Sequence, residues 1–274
     1  MRGIFYLFGL ALLFTSCSEF SKAMKSPDVA EKFRLGTELY EAGKYNKANQ
    51  LFAQIIPNYR GKPQAEKLTY MYAMTFYYMG EKTKADYYSA AYQLERFKDS
   101  YPNSEKAEEA FFLSAKSSYF LSPVYSKDQT ETSEAIEKLQ LFVNQYPNSE
   151  YLPEANKLIK ELDYKLERKA FEIAKQYNTV YKYKASIKSF NNFLLDFPGT
   201  TLREDALYWR FDSEYHLTVL SVEERVEERI SIAEDYYNAL LRAYPETKYI
   251  TQATEMMSEL KTLPQELLLN EDNS

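Results

Sequence analysis

The chain is poor in the residues from which most reactive sites are built. Its 274 residues include one cysteine, Cys17, one histidine, His216, and only seven glycines. A single cysteine excludes an intrachain disulfide. With no second histidine there are too few ligands for a four-coordinate zinc centre, and a histidine-based hydrolytic triad lacks partners nearby. No glycine-rich phosphate loop of the Walker or dinucleotide type can be drawn. So few glycines also argue against the many tight turns of an all-β fold.

The one long apolar run lies at the N-terminus. Arg2 is followed by an unbroken apolar stretch from Gly3 to Phe14, then Thr15, Ser16 and Cys17. A membrane-spanning helix needs about 20 apolar residues, and this shorter run with a small-residue cleavage site reads as a secretion signal over residues 1–16. Phe14-Thr15-Ser16-Cys17 resembles the lipobox of bacterial lipoproteins, in which the cysteine becomes the new N-terminus and carries acyl chains such as palmitate. Phe14 stands where an aliphatic residue is usual. The resemblance assigns Cys17 as the lipid attachment site, with no other cofactor. Ser18, rather than an inner-membrane retention aspartate, favours an outer-membrane address facing the periplasm. An ordinary secreted protein with an incidental cysteine is the alternative.

Without residues 1–16 the chain keeps 33 basic against 40 acidic residues, a net charge near −7. Binding to phosphate backbones needs clustered Lys and Arg, and here the basic residues are interspersed with acidic ones, so nucleic acid is not an expected partner. Residues 17–28 hold few apolar side chains and read as the lipidated cysteine and a tether. The remaining length exceeds a usual single core, which an array of stacked repeats resolves.

An internal period is present. Tyr101-Pro102, Tyr146-Pro147, Phe197-Pro198 and Tyr244-Pro245 each close an apolar-patterned segment, with 45, 51 and 47 residues between successive prolines. Twelve residues before each proline stands a small side chain, at Ala90, Ala135, Ser186 and Ala233. A small residue there lets two helices approach, and the residues after it recur at helical spacing, as in Ile136, Leu139, Phe142, Val143 and Tyr146. Proline then ends the helix and restricts the residue before it. The links that follow, such as Asn103-Ser104-Glu105 and Glu246-Thr247-Lys248, suit helix starts, and Thr201 with Glu204 spells a capping box. Leu35, Gly36, Leu39, Tyr40, Gly43, Tyr45, Ala48 and Phe52 resemble a tetratricopeptide repeat, and Gly80 to Ala85 repeats the Gly43 to Ala48 spacing.

The expected fold is therefore all-α: about five tandem tetratricopeptide-like helix pairs in a superhelical array. Second helices should close near Ile56, Tyr101, Tyr146, Phe197 and Tyr244, and a last helix should lie around residues 249–261. We expect N-terminal repeats over residues 29–121, a middle repeat with a long bridging helix over 122–181, C-terminal repeats over 182–265 and a disordered tail over 266–274. The middle region holds a polar loop at 122–130 and a helix from about Leu152 to Tyr181.

Few side chains suggest catalysis. His216 sits in a segment patterned as a packed first helix. The carboxylate pairs Glu108-Glu109 and Glu223-Glu224 fall on faces expected to be solvated, because Val222, Val226, Ile230 and Ala233 form a stripe that points the charges elsewhere. Tyrosine and phenylalanine, 26 and 17 residues, are the anomaly of the composition. Most must be core, but the cluster Tyr70, Tyr72, Phe76, Tyr77, Tyr78, Tyr87, Tyr88 and Tyr92 is denser than the repeat requires. Of these, Tyr70, Tyr72, Phe76, Tyr77 and Tyr88 are the candidates for lining a peptide groove, since Tyr serves well at interaction hot spots. A tyrosine-rich core is the competing reading.

Taken together, the lipobox, the tether, the five helix pairs and the repeated Tyr-Pro-Asn-Ser at Tyr101–Ser104 and Tyr146–Ser149 resemble the BamD family, lipoprotein subunits of the outer-membrane β-barrel assembly machinery. The most specific stretch runs from Ser133 through Tyr151 to Ala155, Leu162, Leu166, Glu167, Ala174 and Tyr177. The resemblance implies a non-enzymatic assembly role within the BAM complex. Residues 31–121 would receive the C-terminal targeting segment of unfolded outer-membrane proteins. Residues 184–261 would dock on a POTRA domain of BamA, with Arg203 and Glu204 as contact candidates, and other BAM lipoproteins are possible partners. An apparent insertion between Ala85 and Pro102 suggests a longer second helix in repeat two. Two other readings compete: an envelope scaffold for cell-wall proteins, and a helical polysaccharide-active enzyme, which would need two carboxylates about 5–10 Å apart in a cleft.

Overall fold

The computed structural model describes residues 19–271, with the backbone alone for 264–271; the signal segment 1–16, Cys17 and residues 272–274 lie outside the described residues. Every regular element among the described residues is helical. A short helix α1 over residues 19–25 precedes five helix pairs. The pairs are α2 (Val29–Glu41) with α3 (Tyr45–Tyr59), α4 (Ala65–Gly80) with α5 (Asp86–Ser100), and α6 (Ala107–Leu121) with α7 (Thr130–Gln145). Next come α8 (Leu152–Thr179) with α9 (Tyr183–Asp196), and α10 (Arg203–Val219) with α11 (Val226–Ala243), the last two separated by a 3-10 turn, Glu223–Arg225. A final helix, α12, spans Ile250–Glu271.

The aromatic-Pro period has a repeated geometry. Tyr101, Tyr146, Phe197 and Tyr244 each cap a second helix with φ between −123° and −139° and ψ between 61° and 81°. Each donates its backbone N–H to the carbonyl four residues back, on Phe97, Phe142, Phe193 and Leu240. Proline demands this departure from the α region of the residue before it. Three residues on, Ser104, Ser149, Thr200 and Thr247 fold back to the aromatic carbonyl, and each hydroxyl accepts the N–H two residues further along. The hydroxyl residues therefore shape the turn before the helix. The Thr201–Glu204 capping box does not form: Leu202 occupies the N-cap of α10 without a side-chain bond, and Glu204 reaches the next repeat.

The small residues at the same offset are where the helices touch. Ala90, Ala135, Ser186 and Ala233 are all fully buried, as is Ala48 in the first pair. Ser186 keeps its hydroxyl satisfied by donating to the Ala174 carbonyl at 2.9 Å. Gly80 and Ala85 do not match Gly43 and Ala48, for Ala85 is exposed and Gly80 lies under the Tyr87 ring. Helix α5 is 15 residues long, the same as α3, so the residues between Ala85 and Pro102 do not lengthen it.

Three boundaries differ from expectation. Helix α3 runs through Pro57 to Tyr59, and the extra turn sets Tyr59 against Phe33, ring centroids 5.3 Å apart. Helix α12 continues past residue 265 to Glu271. The stretch read as a tether is helical from residue 19: Ala23 is fully buried, and Phe20 and Met24 pack on the cluster of Leu35, Leu39, Leu51 and Phe52. Phe20, Ala23 and Met24 fall three and four residues apart, one face of a helix. Three apolar residues within a polar segment were enough.

The chain divides into two compact units, one ending at Leu162 and the other beginning at Asp163. Helix α8 crosses the division. In unit 1 its Ala155, Leu158 and Leu162 pack with Phe111, Phe112, Leu139 and Phe142. In unit 2 its Phe171 and Ala174 pack with Phe190, Phe193 and Ala206. A second cluster in unit 2 joins Leu207, Phe211, Ala233 and Leu240 to Ala253, Met257 and Leu260 of α12.

Candidate functional site

In unit 1 the five aromatic candidates do not form one surface. On a 3.6-residue period Tyr70 and Tyr77 share a side of α4, and Tyr72 and Phe76 lie on the other. Tyr72 and Phe76 meet edge to face at 5.0 Å. Tyr77 is buried and meets Tyr87 at 5.8 Å, and Tyr87 stacks on Phe120 at 4.7 Å. Tyr88, on α5, is 57% exposed and borders a separate groove with Leu121 and Val124.

What the fold does assemble is a different tyrosine surface, drawn from four helices. Tyr40 of α2, Tyr45 at the start of α3 and Tyr78 of α4 stand together, with Tyr45 and Tyr78 stacked at 4.4 Å and Tyr40 within 6.2 Å of both. Tyr70 lies beside them on α4, half-buried against Phe97 at 5.2 Å. Helix α6 supplies Glu109, whose carboxylate acts on the Tyr70 hydroxyl, and Lys106, which pairs with Glu109 at 2.8 Å and lies 5.7 Å from the Tyr70 ring. Burial, and then the Glu109 carboxylate, hold the Tyr70 phenol well above its ordinary pKa; burial and Tyr78 do the same for Tyr40. Burial pushes Tyr77 up to about 12. The Tyr40 and Tyr70 phenols therefore stay protonated at neutral pH, presenting donors beside ring faces. Such a surface can hold a polypeptide by stacking and by hydrogen bonds to its carbonyls. Sequence reading singled out Tyr70 and Tyr78 but not Lys106, took Tyr45 for a repeat position only and placed Glu109, here half-buried, on a solvated face, because helices distant in sequence bring these together.

In unit 2 the two docking candidates part company. Glu204 is engaged within the fold: its Oε1 accepts from the Thr247 hydroxyl at 2.6 Å and from the Lys248 N–H at 3.1 Å. Glu66 does the same for Ser104 in unit 1, at 2.5 Å. Both are the second residue of a first helix, so this is a repeat-to-repeat fastening. Arg203 is half-exposed and makes no hydrogen bond or ion pair among the described residues, and its charge lowers the pKa of Arg210 beside it after burial has done most of that work. Nearby, Tyr249 stacks on Tyr208 at 3.8 Å and donates to Asp205 at 2.7 Å, and Lys248 pairs with Asp205 at 2.6 Å.

The charges between Val222 and Ile230, expected to face solvent, have one exception. Arg229 is buried beside Glu214 of α10, 3.7 Å away, because the α10–α11 contact covers that side of the helix. Val222 is exposed, while Val226 and Ala233 are buried as expected. His216 is half-exposed, stacked on Tyr183 at 5.2 Å and 3.8 Å from buried Asp212. Glu223 and Glu224 are exposed in the 3-10 turn. No helix among the described residues is long and apolar enough to cross a membrane.

An array of helix pairs carrying a surface of phenols and ring faces defines a helical-repeat protein. The particular family follows from comparison with known proteins. Residues 25–230 match the YfiO family, described as outer membrane lipoprotein. A protein of Aquifex aeolicus (strain VF5) that carries the provisional name outer membrane protein assembly factor BamD is 34% identical over 236 residues, covering 84% of this chain and 74% of that protein. The chain belongs to the YfiO/BamD family of outer membrane lipoproteins.

Proposed function

We infer that the chain is a lipid-anchored periplasmic scaffold of the BAM complex, held to the outer membrane through acylated Cys17, that promotes β-barrel insertion without catalysis of its own. Unit 1 receives segments of unfolded outer-membrane proteins on the Tyr40–Tyr45–Tyr70–Tyr78 surface. Unit 2 docks on a POTRA domain of BamA, with Arg203 as the leading contact. The observation that carries this reading is the tyrosine surface in a chain of this family: protonated phenols from α2, α3 and α4 meet one carboxylate and one lysine of α6. For an extended polypeptide such a surface offers donors without demanding a fixed sequence.

The reading is tested by purifying the chain from solubilised outer membrane and identifying what comes with it. Stoichiometric recovery of a POTRA-bearing barrel protein is expected. Arg203→Ala should lower that recovery and Glu204→Gln should leave it intact. A photo-crosslinker at Tyr70 should capture unfolded barrel precursors, and one at Tyr72 should not. Recovery of cell-wall enzymes alone would replace this reading with a general envelope scaffold.

A further inference from the structure

The α2–α3 and α4–α5 turns lie side by side and enclose an open cavity of about 400 Å³. Lys44, Lys47 and Lys82 line it, with the stacked rings of Tyr45 and Tyr78 among its walls and Asp86 as the one acidic residue on the lining. None of the three lysines makes a salt bridge among the described residues. Counting Glu81, whose charge acts on Tyr45, the surroundings still carry an excess of positive charge. The mature chain as a whole is near −7, from 33 basic and 40 acidic residues. This corner of unit 1 therefore has the opposite sign to the molecule.

The cavity's position gives that charge a partner. The Lys47 ammonium lies 5.3 Å from the Phe20 ring, and Phe20 belongs to α1, which is packed into the core of unit 1 through Ala23. Phe20 is three residues from Cys17, and three residues reach at most about 11 Å. With Cys17 acylated, which rests on the anchor reading above, α1 cannot stand off from the bilayer on a long tether. The lysine cavity must lie near the headgroup layer. Basic patches beside a membrane attachment are drawn to anionic lipid, and an acyl anchor joined to such a patch holds more firmly than either alone.

We propose that the cavity lined by Lys44, Lys47 and Lys82 binds the phosphate of anionic phospholipid headgroups, so that this end of unit 1 rests on the membrane. The ammonium groups contact the phosphate oxygens. Held this way, unit 1 has a set orientation to the membrane rather than swinging from a lipid chain.

The test uses the lipidated full chain in vesicles of phosphatidylcholine alone, or of phosphatidylcholine with phosphatidylglycerol. Lysine acetylation rates are read by mass spectrometry. Lys44, Lys47 and Lys82 should react at least about threefold more slowly in the anionic vesicles, whereas Lys184 and Lys188 of unit 2 should react equally in both. Lys44→Gln with Lys82→Gln should return Lys47 to its rate in neutral vesicles. Equal rates in the two vesicles overturn the headgroup site, as does protection that arises only when an unfolded polypeptide is added. The N-terminal peptide in the same digest reads the anchor separately. Unacylated Cys17 removes the anchor and the orientation with it, whereas acylated Cys17 with equal lysine rates removes the headgroup site alone.

Discussion

Unit 1 and unit 2 are built from the same helix pairs but hold them together differently. Between the helices of unit 1 the interior is filled by rings and small hydroxyls: Phe112 stacks on Tyr151 at 4.7 Å, Tyr87 on Phe120 at 4.7 Å, and Ser122, Thr132 and Gln129 satisfy one another. Lys32 is the one buried charged residue among its described residues, and it donates to Gln54 at 2.6 Å. Unit 2 buries Asp212, Glu214 and Arg229 within α10 and α11. Asp212 accepts from Asn178 at 2.6 Å, and burial raises its pKa against the pull of that bond and of His216. Burial likewise raises Glu214 against the pull of Arg229, and both Glu214 Oε1 and Arg229 Nε lack a hydrogen-bond partner. Aromatic contacts tolerate small shifts, whereas buried charges tolerate few arrangements. The contact between α10 and α11 is accordingly geometrically demanding, because it holds Glu214 and Arg229 together out of solvent.

Breaking the charge pair should have the largest effect. Arg229→Ala leaves Glu214 buried without its counter-charge and should destabilise unit 2 by about 3–5 kcal/mol, while Glu214→Leu with Arg229→Met should cost far less. Denaturant unfolding followed by hydrogen exchange, resolved by segment, reads both. If the single and double variants lose the same stability, the pair is not what makes the contact demanding.

The corresponding break in unit 1 is steric. A methyl at Gly80 would stand 2.6 Å from the Tyr87 ring, which Phe120 and Tyr77 hold from two sides. Gly80→Ala should cost about 1–3 kcal/mol, seen as a lower midpoint for unit 1 with unit 2 unchanged.

Titration should separate the units without any mutation. The phenols of Tyr40, Tyr70 and Tyr77 have pKa values raised above those of the unfolded chain. Their contribution is complete below the ordinary tyrosine value and is lost as pH rises past about 10, because the unfolded chain ionises first. Tyr208 and Tyr215 of unit 2 are also pushed up to about 12, so unit 2 weakens too. Unit 2 adds raised carboxyl groups at Asp163, Asp212 and Glu214. Their contribution is complete below the ordinary carboxylate range and is lost as pH rises through the raised values of Asp212 and Glu214. As pH rises above the ordinary carboxylate range, unit 2 should therefore soften relative to unit 1, and Glu214→Gln should reduce that difference. Segment-resolved hydrogen exchange across pH decides it.

The smallest effect compares one turn in both units. Gly43 and Tyr181 each follow a first helix with positive φ, 70° and 61°, and the next N–H, of Lys44 or Lys182, returns at 2.8 Å to a carbonyl five residues back. Glycine adopts this conformation at no steric cost, whereas a side chain there costs about 1–2 kcal/mol. Tyr181 is 78% exposed, so little packing offsets that strain. Tyr181→Gly should raise the stability of unit 2 by up to about 1 kcal/mol. An unchanged melting temperature would show that the exposed ring contributes more than its surroundings suggest.

Much of this architecture was legible in the residues. The aromatic-Pro pairs marked four helix ends because proline acts locally: it removes a donor and restricts its neighbour, whatever lies elsewhere in the chain. The small residues at a fixed offset marked the contact points for a similar reason, since a short side chain is what permits close approach. Side-chain partners across helices were not legible. Glu204 spelled a capping box and instead reaches Thr247, and Arg229 lay within an acidic run yet is buried.

The sequence by itself determined the helix pairs and their order, which rest on periodicity and on local backbone chemistry, and its motifs carried the resemblance to a lipoprotein family. The tertiary structure alone decided which tyrosines face one another and that α1 belongs to the core. It also decided that three lysines from two turns surround one cavity. Those outcomes depend on the distances between helices remote in sequence, and packing, not pattern, sets those distances.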